Sequence, residues 1–298
     1  MAREIEAGAA WGVASLFRRR PKHALPLGEP CPNCATALQG PWCHACGQAG
    51  EEFHRSLFRL AGEALEGVID VDGRLWQTLP DLILNPARLT RRYLDGHRAP
   101  QAPPFRTFLI VVVLVFLTAG LGAQAAPKWN LSDSGAGLKS SQGVSVNIVG
   151  QGNAKIGKWL SDRLIVASKH PEAFQAELNT WAQRLVFLAL PISALLLGLV
   201  FFWKRGVFMF DHLIFSMHSL SFQGLLLSAI LVGVQVSGWF GLLAIASPIH
   251  LFVHLKGTYG IGVVGTLARM LLLLVGSLIA SVGFMTVLFF IGLYEVST

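Results

Sequence analysis

The chain has 298 residues, of which 53% are apolar and only 14% are charged, and its mean hydropathy is +0.53. These values exclude an ordinary soluble domain, a disordered chain and a small disulfide-rich secreted fold. The net charge of +7 is unevenly spread, because residues 184 to 294 contain a single acid, Asp211. We therefore expect a polar N-terminal part followed by an all-α integral membrane domain.

The first 29 residues predict a flexible or amphipathic N-terminus. They contain an apolar run at 7–17, but the arginine cluster comes after this run, whereas the charge of a signal peptide comes first. We therefore expect no cleaved signal peptide in this segment.

Residues 30–50 contain all four cysteines, arranged as Cys31-Pro-Asn-Cys34 and Cys43-His-Ala-Cys46. Each Cys-x-x-Cys turn points two thiolates at one place, and two such turns supply the four ligands of a structural tetrahedral Zn²⁺ site. Four thiolates leave no open coordination position, so the metal would hold together a segment that is too small for its own core. The pattern predicts a zinc ribbon in which zinc is a structural cofactor.

Other chemistries can use the same cysteines. A rubredoxin-type iron site has the same four thiolates, and spacing alone does not separate iron from zinc. Two disulfides would need an oxidising compartment, and a redox dithiol pair usually accompanies a βαβ pattern, which this chain lacks. Residues 31–50 contain no Lys or Arg, so no nucleic-acid partner is expected.

Residues 51–104 predict cytoplasmic amphipathic helices. Apolar residues recur every three or four positions over 52–69, which is the period of one helix face. Further along, Asn85-Pro86 predicts the start of a second helix and Asp95-Gly96 its end.

The second of these helices carries Arg88, Arg91 and Arg92. A basic amphipathic helix just before a membrane span most often lies on the anionic inner leaflet, so anionic lipids are its expected partner. The alternative is that the helix packs under the membrane helices as a cytosolic collar.

Residues 105–298 form the expected membrane domain, with five apolar segments long enough to cross about 30 Å of hydrocarbon as helices. We number these spans one to five, and they cover residues 105–123, 185–203, 213–236, 239–255 and 270–294. Pro191 predicts a kink in span two, because proline removes a helix hydrogen bond. Only Ser237-Gly238 separate spans three and four, so these two spans are expected to form a tight hairpin.

Basic residues beside the spans predict the orientation. Five arginines precede or open span one, Lys204 and Arg205 lie between spans two and three, Lys256 lies between spans four and five, and Arg269 precedes span five. This pattern predicts a cytoplasmic N-terminus and an extracytoplasmic C-terminus.

The loop at 124–184 is then extracytoplasmic. Its first part, 128–152, is rich in Gly, Ser, Asn and Gln, so it is expected to be mobile. Its second part, 155–183, has helical spacing, and Pro171 fits the first turn of a helix that leads into span two.

Four histidines lie in the expected membrane domain, His212 and His218 at the start of span three and His250 and His254 at the end of span four. Both of these ends are expected to be cytoplasmic, so the sequence predicts His212 level with His254 and His218 level with His250. Together with Asp211 and Arg269, the histidines form a candidate intramembrane polar or metal site, because ionisable residues within spans often mark function.

Several uses of these histidines remain open. They could bind a second divalent metal, hold haem between two imidazoles, or relay protons. They could also simply form hydrogen bonds to a neighbouring helix. No nucleophile–base pair, phosphate-binding loop or paired-carboxylate motif accompanies them, so an enzymatic activity is not indicated.

Residues 31–105 carry the motifs Cys31-Pro-Asn-Cys34, Gly40, Trp42-Cys43, Cys46-Gly47-Gln48, Asp72, Thr78, Leu82, Asn85-Pro86, Tyr93-Leu94-Asp95-Gly96, Arg98 and Pro104-Phe105. This series resembles an uncharacterised bacterial family, a domain of unknown function, whose members are multi-pass inner-membrane proteins with an N-terminal four-cysteine zinc ribbon. The resemblance implies a bacterial inner (cytoplasmic) membrane location and no particular activity. Ala35 departs from it, since a glycine usually follows the first knuckle, and the aromatic often found after Arg98 is missing.

These observations lead us to expect a non-enzymatic membrane scaffold or accessory protein whose zinc ribbon contacts a cytoplasmic protein partner. Two alternatives are a transporter or channel, and a membrane metal- or haem-binding protein that uses the histidines of spans three and four.

Overall fold

The computed structural model describes residues 25–50, 73–125 and 154–295. The apolar run at 7–17, the amphipathic helix expected at 52–69 and the loop segment at 128–152 lie outside these residues. The described helices are α1 (Arg74–Leu84), α2 (Pro86–Leu94), α3 (Pro104–Ala125), α4 (Ala154–Lys169), α5 (Pro171–Leu185), α6 (Ala189–Val200), α7 (Met209–Gly233), α8 (Ala246–Tyr259) and α9 (Val263–Glu295), with 3₁₀ segments at Val186–Leu188 and Gly238–Ile245.

The ribbon at 25–50 is built from turns rather than regular elements. Two isolated antiparallel bridges, Pro30–Ala37 and Trp42–Ala49, close its two loops. The next described element is α1. Helix α2 begins at Pro86, as the sequence predicts. Proline is suited to this position because the first N–H groups of a helix have no helical partner. The turn after α2 contains Gly96 at φ +95°, a conformation that favours glycine.

Four helical segments are long and apolar enough to cross a membrane: Pro171–Val200, Met209–Gly233, Gly238–Tyr259 and Val263–Glu295. They overlap the predicted spans two to five, and spans two and three each end three residues earlier than predicted. The predicted first span falls in α3, whose part Pro104–Gly120 is apolar but shorter than the other four.

The helix predicted to lead from Pro171 into span two is confirmed, because helical structure runs continuously from Pro171 to Val200. The helices expected within 155–183 are confirmed, and Pro171 opens α5 as predicted. Regular helix is interrupted by the 3₁₀ segment Val186–Leu188. Pro191 explains this interruption, because its nitrogen cannot donate to the carbonyl four residues earlier.

The turn between spans four and five also differs from the prediction. Lys256 is not in a loop, since α8 continues to Tyr259 and ends at Gly260, which has φ +60° and is left-handed. α9 begins at Val263, so Arg269 lies in its second turn rather than ahead of span five. Both helices are therefore longer than their apolar cores.

The hairpin between spans three and four is confirmed. α7 ends at Gly233, and the N–H of Ser237 donates to the carbonyl of Gly233 at 2.9 Å. The ring of Phe240, in the following 3₁₀ segment, lies so close to Gly233 that an added Cβ would overlap it. Glycine is therefore required for the two segments to approach this closely.

The four long apolar segments and the shorter apolar helix α3 alternate in direction. α3 runs parallel to α7, since Val111 faces Gly224 and Thr118 donates to Ser228 at 3.3 Å. α8 is antiparallel to α7, and α9 is antiparallel to α6, with Gly276 against Leu196.

The two ends of this bundle carry different elements. At one end α2 packs on α7 and α8, with Ala87 against Gly257. At the other end Gly292 of α9 packs on Phe174 and Leu178 of α5. The ribbon side and the C-terminal end of α9 therefore lie at opposite ends of the bundle.

Candidate metal centre and buried histidine cluster

The four cysteine sulfurs converge on one point. Their Sγ atoms all lie within 4.8 Å of one another, with Cys31–Cys46 at 3.6 Å and Cys34–Cys43 at 3.5 Å. All four are free thiols. Sulfurs bound to one tetrahedral zinc at about 2.3 Å are separated by about 3.8 Å, so the donor set fits a single metal ion.

Equivalent backbone turns produce this arrangement in the two knuckles. The N–H of Ala35 donates to the carbonyl of Cys31 at 2.9 Å, and the N–H of Gly47 donates to the carbonyl of Cys43 at 2.8 Å. Both donors are in the left-handed region, with φ +59° for Ala35 and +72° for Gly47. Ala35 is the single non-glycine residue with positive φ within the described ranges, a conformation that is strained for an L-residue.

The ribbon has a very small core. Leu38 is 2% exposed, packs with Cys31 and Cys43, and lies directly over Gly50. A core of one leucine and the metal-ligand cysteines buries too little apolar surface to fold alone. A metal ion held by the four cysteines would therefore supply most of the stability of this segment.

The exposed thiol of Cys34 and the half-buried thiol of Cys46 differ in acidity. Hydrogen bonds from the hydroxyl and the backbone of Thr36 lower the pKa of Cys34 to about 6. Burial raises the pKa of Cys46 to about 12. Without metal, Cys46 therefore holds a proton at neutral pH that a metal ion must displace.

One side chain fixes the ribbon to the helices. Gln48 Nε2 donates to the carbonyl of Gly96 at 2.8 Å, and Gln48 Oε1 accepts from the N–H groups of Arg98 and Ala99 at 3.1 and 3.0 Å. The ribbon also touches the same turn through Pro32, whose Cβ lies against Gly96. Gln48 thus joins the cysteine module to the loop that leads from α2 into α3.

We call α1 and α2 with the loop 95–103 the collar. Thr78 of α1 is 1% exposed, donates to the carbonyl of Arg74 at 2.8 Å and accepts from the N–H of Ala102 at 2.9 Å. This hydroxyl holds the loop against α1 just before α3 begins.

A second set of ligand-type residues lies where the collar meets α7 and α8. The hydroxyl of Thr90, which is fully buried, lies 2.8 Å from His218 Nδ1 and 2.8 Å from His254 Nε2. A hydroxyl donates one hydrogen bond and accepts others, so it satisfies one imidazole as acceptor and the other as donor. We call Thr90, His218 and His254 the threonine–histidine bridge.

His250 bonds to the collar in a different way. Its Nε2 donates to the carbonyl of Leu82 at 2.8 Å, and its ring stacks on Phe222 with centroids 3.5 Å apart. The carbonyl of Leu82 would normally accept from the N–H four residues later, but that residue is Pro86, which has none. His250 supplies the missing donor.

The remaining predicted site residues lie one to two turns away. His212 Nδ1 is 2.8 Å from the hydroxyl of Tyr259. Asp211 Oδ2 accepts from the N–H of Phe208 at 3.0 Å and so caps α7. Arg269 lies over the ring of Phe201 at 4.9 Å.

The depth pairing predicted for the histidines is shifted by about one turn. His254 stacks on Phe215 and meets His218 through Thr90, while His212 meets Tyr259. The shift arises because span four extends beyond residue 255 and begins as a 3₁₀ segment, which rises more per residue.

Of the candidate ligands, only the cysteines have their donor atoms together. Among the residues that the structure describes, one group of three or more His, Cys, Asp or Glu side chains could share an ion, and it is the four cysteines. The histidines are close in the fold, but one ring nitrogen of each faces Thr90, Leu82 or Tyr259. The Nδ1 atoms of His250 and His254 are buried and have no hydrogen-bond partner among the described residues.

Sequence reasoning did not identify Thr90 as part of the candidate site. Gln48, Thr78 and Leu82 belong to the motifs that carry the family resemblance, but no role was assigned to them. A signal for Thr90 was available, because it lies one residue after Leu89 and three before Tyr93, on the side of α2 that is buried.

A family model described as "Protein of unknown function (DUF3667)" matches residues 72–116, which include α1, α2 and the first part of α3. No curated protein and no solved structure matches the chain. The collar and the start of α3 are thus similar to a family of unknown function. Four of the described helical segments are long and apolar enough to cross a membrane, and the four cysteines form a candidate metal centre.

Proposed function

We propose that this chain is a five-span protein of the bacterial inner membrane that acts as a scaffold, presenting a structural zinc ribbon to a cytoplasmic protein partner. The observation that carries the proposal is the clamp made by Gln48, which fixes the ribbon on the collar. The collar is in turn fixed on α7 and α8 through Thr90 and Leu82. A module fixed to the membrane helices in this way is suited to presenting a binding surface to a partner protein rather than to moving a substrate.

The alternation of helix directions supports five crossings. α3 has 22 residues, which as a helix is about 33 Å long and matches a hydrocarbon core of about 30 Å. It runs parallel to α7, as first and third spans must. An odd number of crossings places the ribbon and the C-terminus on opposite sides, and the basic residues favour a cytoplasmic ribbon.

Zinc is the ion that we propose for the cysteine site. A closed four-thiolate site has no position for a substrate, and its metal contributes to folding rather than to chemistry. The one-leucine core of the ribbon supports such a role. A reducing cytoplasm keeps the thiols available for metal.

The contacts of the histidines favour a structural role over a second metal, a haem or a proton path. One ring nitrogen of each candidate histidine already has a protein partner: Thr90 for His218 and His254, Leu82 for His250, and Tyr259 for His212. Hydrogen bonds of this kind connect helices inside a membrane protein.

Lipid is the second partner that we propose. Arg91 and Arg92 are exposed on α2, and Arg88, also exposed, forms an ion pair with Asp81. The apolar face of α2 packs on the bundle. This orientation agrees with the alternative in which α2 packs under the membrane helices. The arginines on its outer face remain free to attract anionic inner-leaflet lipids.

Metal analysis of the purified full chain tests the zinc proposal. We expect about one zinc per chain, lost in Cys31→Ser and retained in His44→Ala, a matched change at an exposed position inside the second knuckle. Iron in place of zinc, or a second metal lost in His250→Ala, would contradict the proposal.

Two experiments in cells test the topology and the scaffold role. Reporters fused before Met1 and after Thr298 should report opposite sides of the membrane. A photo-crosslinker at Leu27, which is 73% exposed on the ribbon, should give a discrete protein adduct that Cys31→Ser abolishes. The same probe at Trp239, 79% exposed in the hairpin between spans three and four, should not give that adduct. Ion flux in liposomes, or no adduct at Leu27, would argue for the transporter alternative.

A further inference from the structure

The ends of four spans meet at one level on the ribbon side of the bundle. The ring of Phe201, just after α6, stacks on the ring of Tyr259 at the end of α8, with centroids 4.0 Å apart. The hydroxyl of Tyr259 lies 2.8 Å from Nδ1 of His212, near the start of α7. The guanidinium of Arg269, near the start of α9, lies 4.9 Å from the ring of Phe201. We call the height at which these side chains meet the Tyr259 level.

The lengths of two spans put the edge of the hydrocarbon close to the Tyr259 level. Helix α7 rises about 32 Å from His212 to Gly233, which matches a hydrocarbon core of about 30 Å. The 3₁₀ segment and α8 together rise about 37 Å from Gly238 to Tyr259. An edge at His250 would leave about 23 Å of this span, which is too short to cross.

The side chains at the Tyr259 level also fit a membrane boundary. Phe202 and Trp203 follow α6 there and are exposed. Arg269 lies at the level itself, whereas residues 270–294, on the side away from the ribbon, contain no charged residue. Exposed aromatic residues beside cations are typical of the interface between hydrocarbon and water.

The collar contacts the spans well inside the Tyr259 level. The carbonyl of Leu82 accepts from His250 Nε2 at 2.8 Å. His250 lies about 14 Å from Tyr259 along α8. Helix α7 gives the same depth, because Phe222, which stacks on the ring of His250, lies about 15 Å from His212. The end of α1 is therefore close to the middle of a hydrocarbon core of about 30 Å.

Helix α2 lies between this depth and the Tyr259 level. The hydroxyl of Thr90 lies 2.8 Å from His254 Nε2, and His254 is about 8 Å inside the level along α8. Ala87 packs on Gly257, which is about 3 Å inside the level. The α1–α2 hairpin therefore occupies the half of the hydrocarbon layer that is nearer the ribbon.

Apolar side chains of the hairpin are exposed at this depth. Ile83 and Leu84, directly after the buried Leu82, are 49% and 73% exposed. Consecutive Cα atoms are about 3.8 Å apart, so both residues lie within about 8 Å of Leu82 and on the hydrocarbon side of the Tyr259 level. At a similar depth α8 exposes Ile249 and Val253. The apolar surface of the spans thus continues onto the hairpin.

The polar groups of the hairpin suit an apolar surrounding. A backbone carbonyl in hydrocarbon cannot bond to water and needs a partner within the protein. Pro86 deprives the carbonyl of Leu82 of its helical donor, and His250 replaces that donor. The carboxylate of Asp81 is paired with Arg88, a side chain long enough to reach the headgroup layer.

We propose that the α1–α2 hairpin is embedded in the ribbon-side leaflet of the membrane, with Ile83 and Leu84 in contact with lipid acyl chains. This inference rests on the membrane location proposed above. It gives the collar a lipid-facing apolar surface in addition to the arginines at the headgroups. It also makes the bond from His250 to Leu82 a requirement of the apolar surroundings rather than a substitute for water.

The test uses the full chain in phosphatidylcholine vesicles, with a fluorescent amino acid at one exposed leucine. The positions are Leu84, Leu27 on the ribbon, which is also 73% exposed, and Leu278 of α9, which is 63% exposed. Leu278 lies about 14 Å from Arg269 along α9, at the depth of Leu82. Phosphatidylcholine that carries a nitroxide on its acyl chain should remove most of the fluorescence at positions 84 and 278, and iodide in the water should not. The opposite is expected at position 27.

Iodide quenching at position 84 as strong as at position 27 would overturn the proposal, since the hairpin would then lie in water. Quenching by neither agent would also overturn it, because another part of the chain, such as residues 51–72, would cover Leu84. Loss of nitroxide quenching at position 278 would contradict the membrane location itself. Nitroxide quenching at 278 without quenching at 84 would overturn the embedded hairpin and leave the proposed function standing. If the probe at Leu84 prevents folding, the same probe at Ile83 decides between these outcomes.

Discussion

The ribbon and the histidine cluster each bring four metal-ligand side chains together, but with opposite results. In the ribbon, the cysteine sulfurs face one another at 3.5 and 3.6 Å and could share one ion. In the cluster, each imidazole faces a protein group at 2.8 Å. The difference shows that proximity of ligand-type residues does not define a metal site. The donor atoms must point at a common place and lack other partners.

The largest effect is expected from removing the metal. A strong chelator should make residues 25–50 sensitive to protease while α7 to α9 stay protected, because the ribbon has a one-leucine core and the helices pack on one another. Metal affinity should also fall as the pH falls, since protons compete for the thiolates. Limited proteolysis with mass spectrometry checks the first point and a pH series of metal titrations the second. A ribbon that stays folded in the chelator would contradict the claim that this segment needs a metal ion for its stability.

The next effect is expected from Thr90→Val, which keeps the shape of the side chain and removes its hydroxyl. His218 and His254 would each lose a buried hydrogen bond, so the free energy of unfolding should fall by about 2 kcal/mol. Thermal unfolding in detergent measures the change. Thr90→Ser keeps the hydroxyl and is the matched control. Equal stability of the Val and Ser variants would show that the threonine–histidine bridge does not hold the collar.

A smaller effect is expected from Gln48→Ala, which removes three hydrogen bonds between ribbon and collar at a cost of about 1–2 kcal/mol. The ribbon should keep its metal but separate from the loop at 96–99. Hydrogen exchange of the Arg98 and Ala99 amides measures this separation. Gln48→Glu keeps the acceptor for both amides and should protect them better than Ala does; equal exchange in the two variants would rule out the clamp.

The smallest effect is expected from single substitutions of the residue that follows each knuckle, Ala35 or Gly47. Ala35→Gly relieves a left-handed alanine and should tighten zinc binding severalfold, because that conformation costs L-residues about 1 kcal/mol. Gly47→Ala introduces the same strain into open space and should weaken binding by a similar factor. Competition with a chromophoric chelator measures both. Changes of the same sign would contradict the equivalence of the two turns.

The sequence predicts the local features of this molecule well. The spacing of Cys31, Cys34, Cys43 and Cys46 predicts their convergence, because two Cys-x-x-Cys turns have few conformations available. Apolar runs predict four of the candidate spans, since length and hydropathy decide whether a helix suits a bilayer.

Features that depend on packing between distant elements are beyond this kind of prediction. The periodicity of α2 shows that it is amphipathic, but the same face could meet lipid or protein. Only the packed structure shows Thr90 between two histidines. Likewise, the register of span four depends on its 3₁₀ start and on Gly260, so the depth of His254 relative to His218 could not be read from residue counts.

The carbonyl of Leu82 has a consequence for biosynthesis. It is made early in translation, and Pro86 leaves it without a helical donor, while the imidazole of His250 that satisfies it follows 168 residues later. At ordinary elongation rates this is a delay of about 10–30 s. The collar therefore reaches its final hydrogen bonding only after span four has been synthesised, and a nascent chain that stalls before residue 250 leaves an unfinished helix pair for quality control to detect.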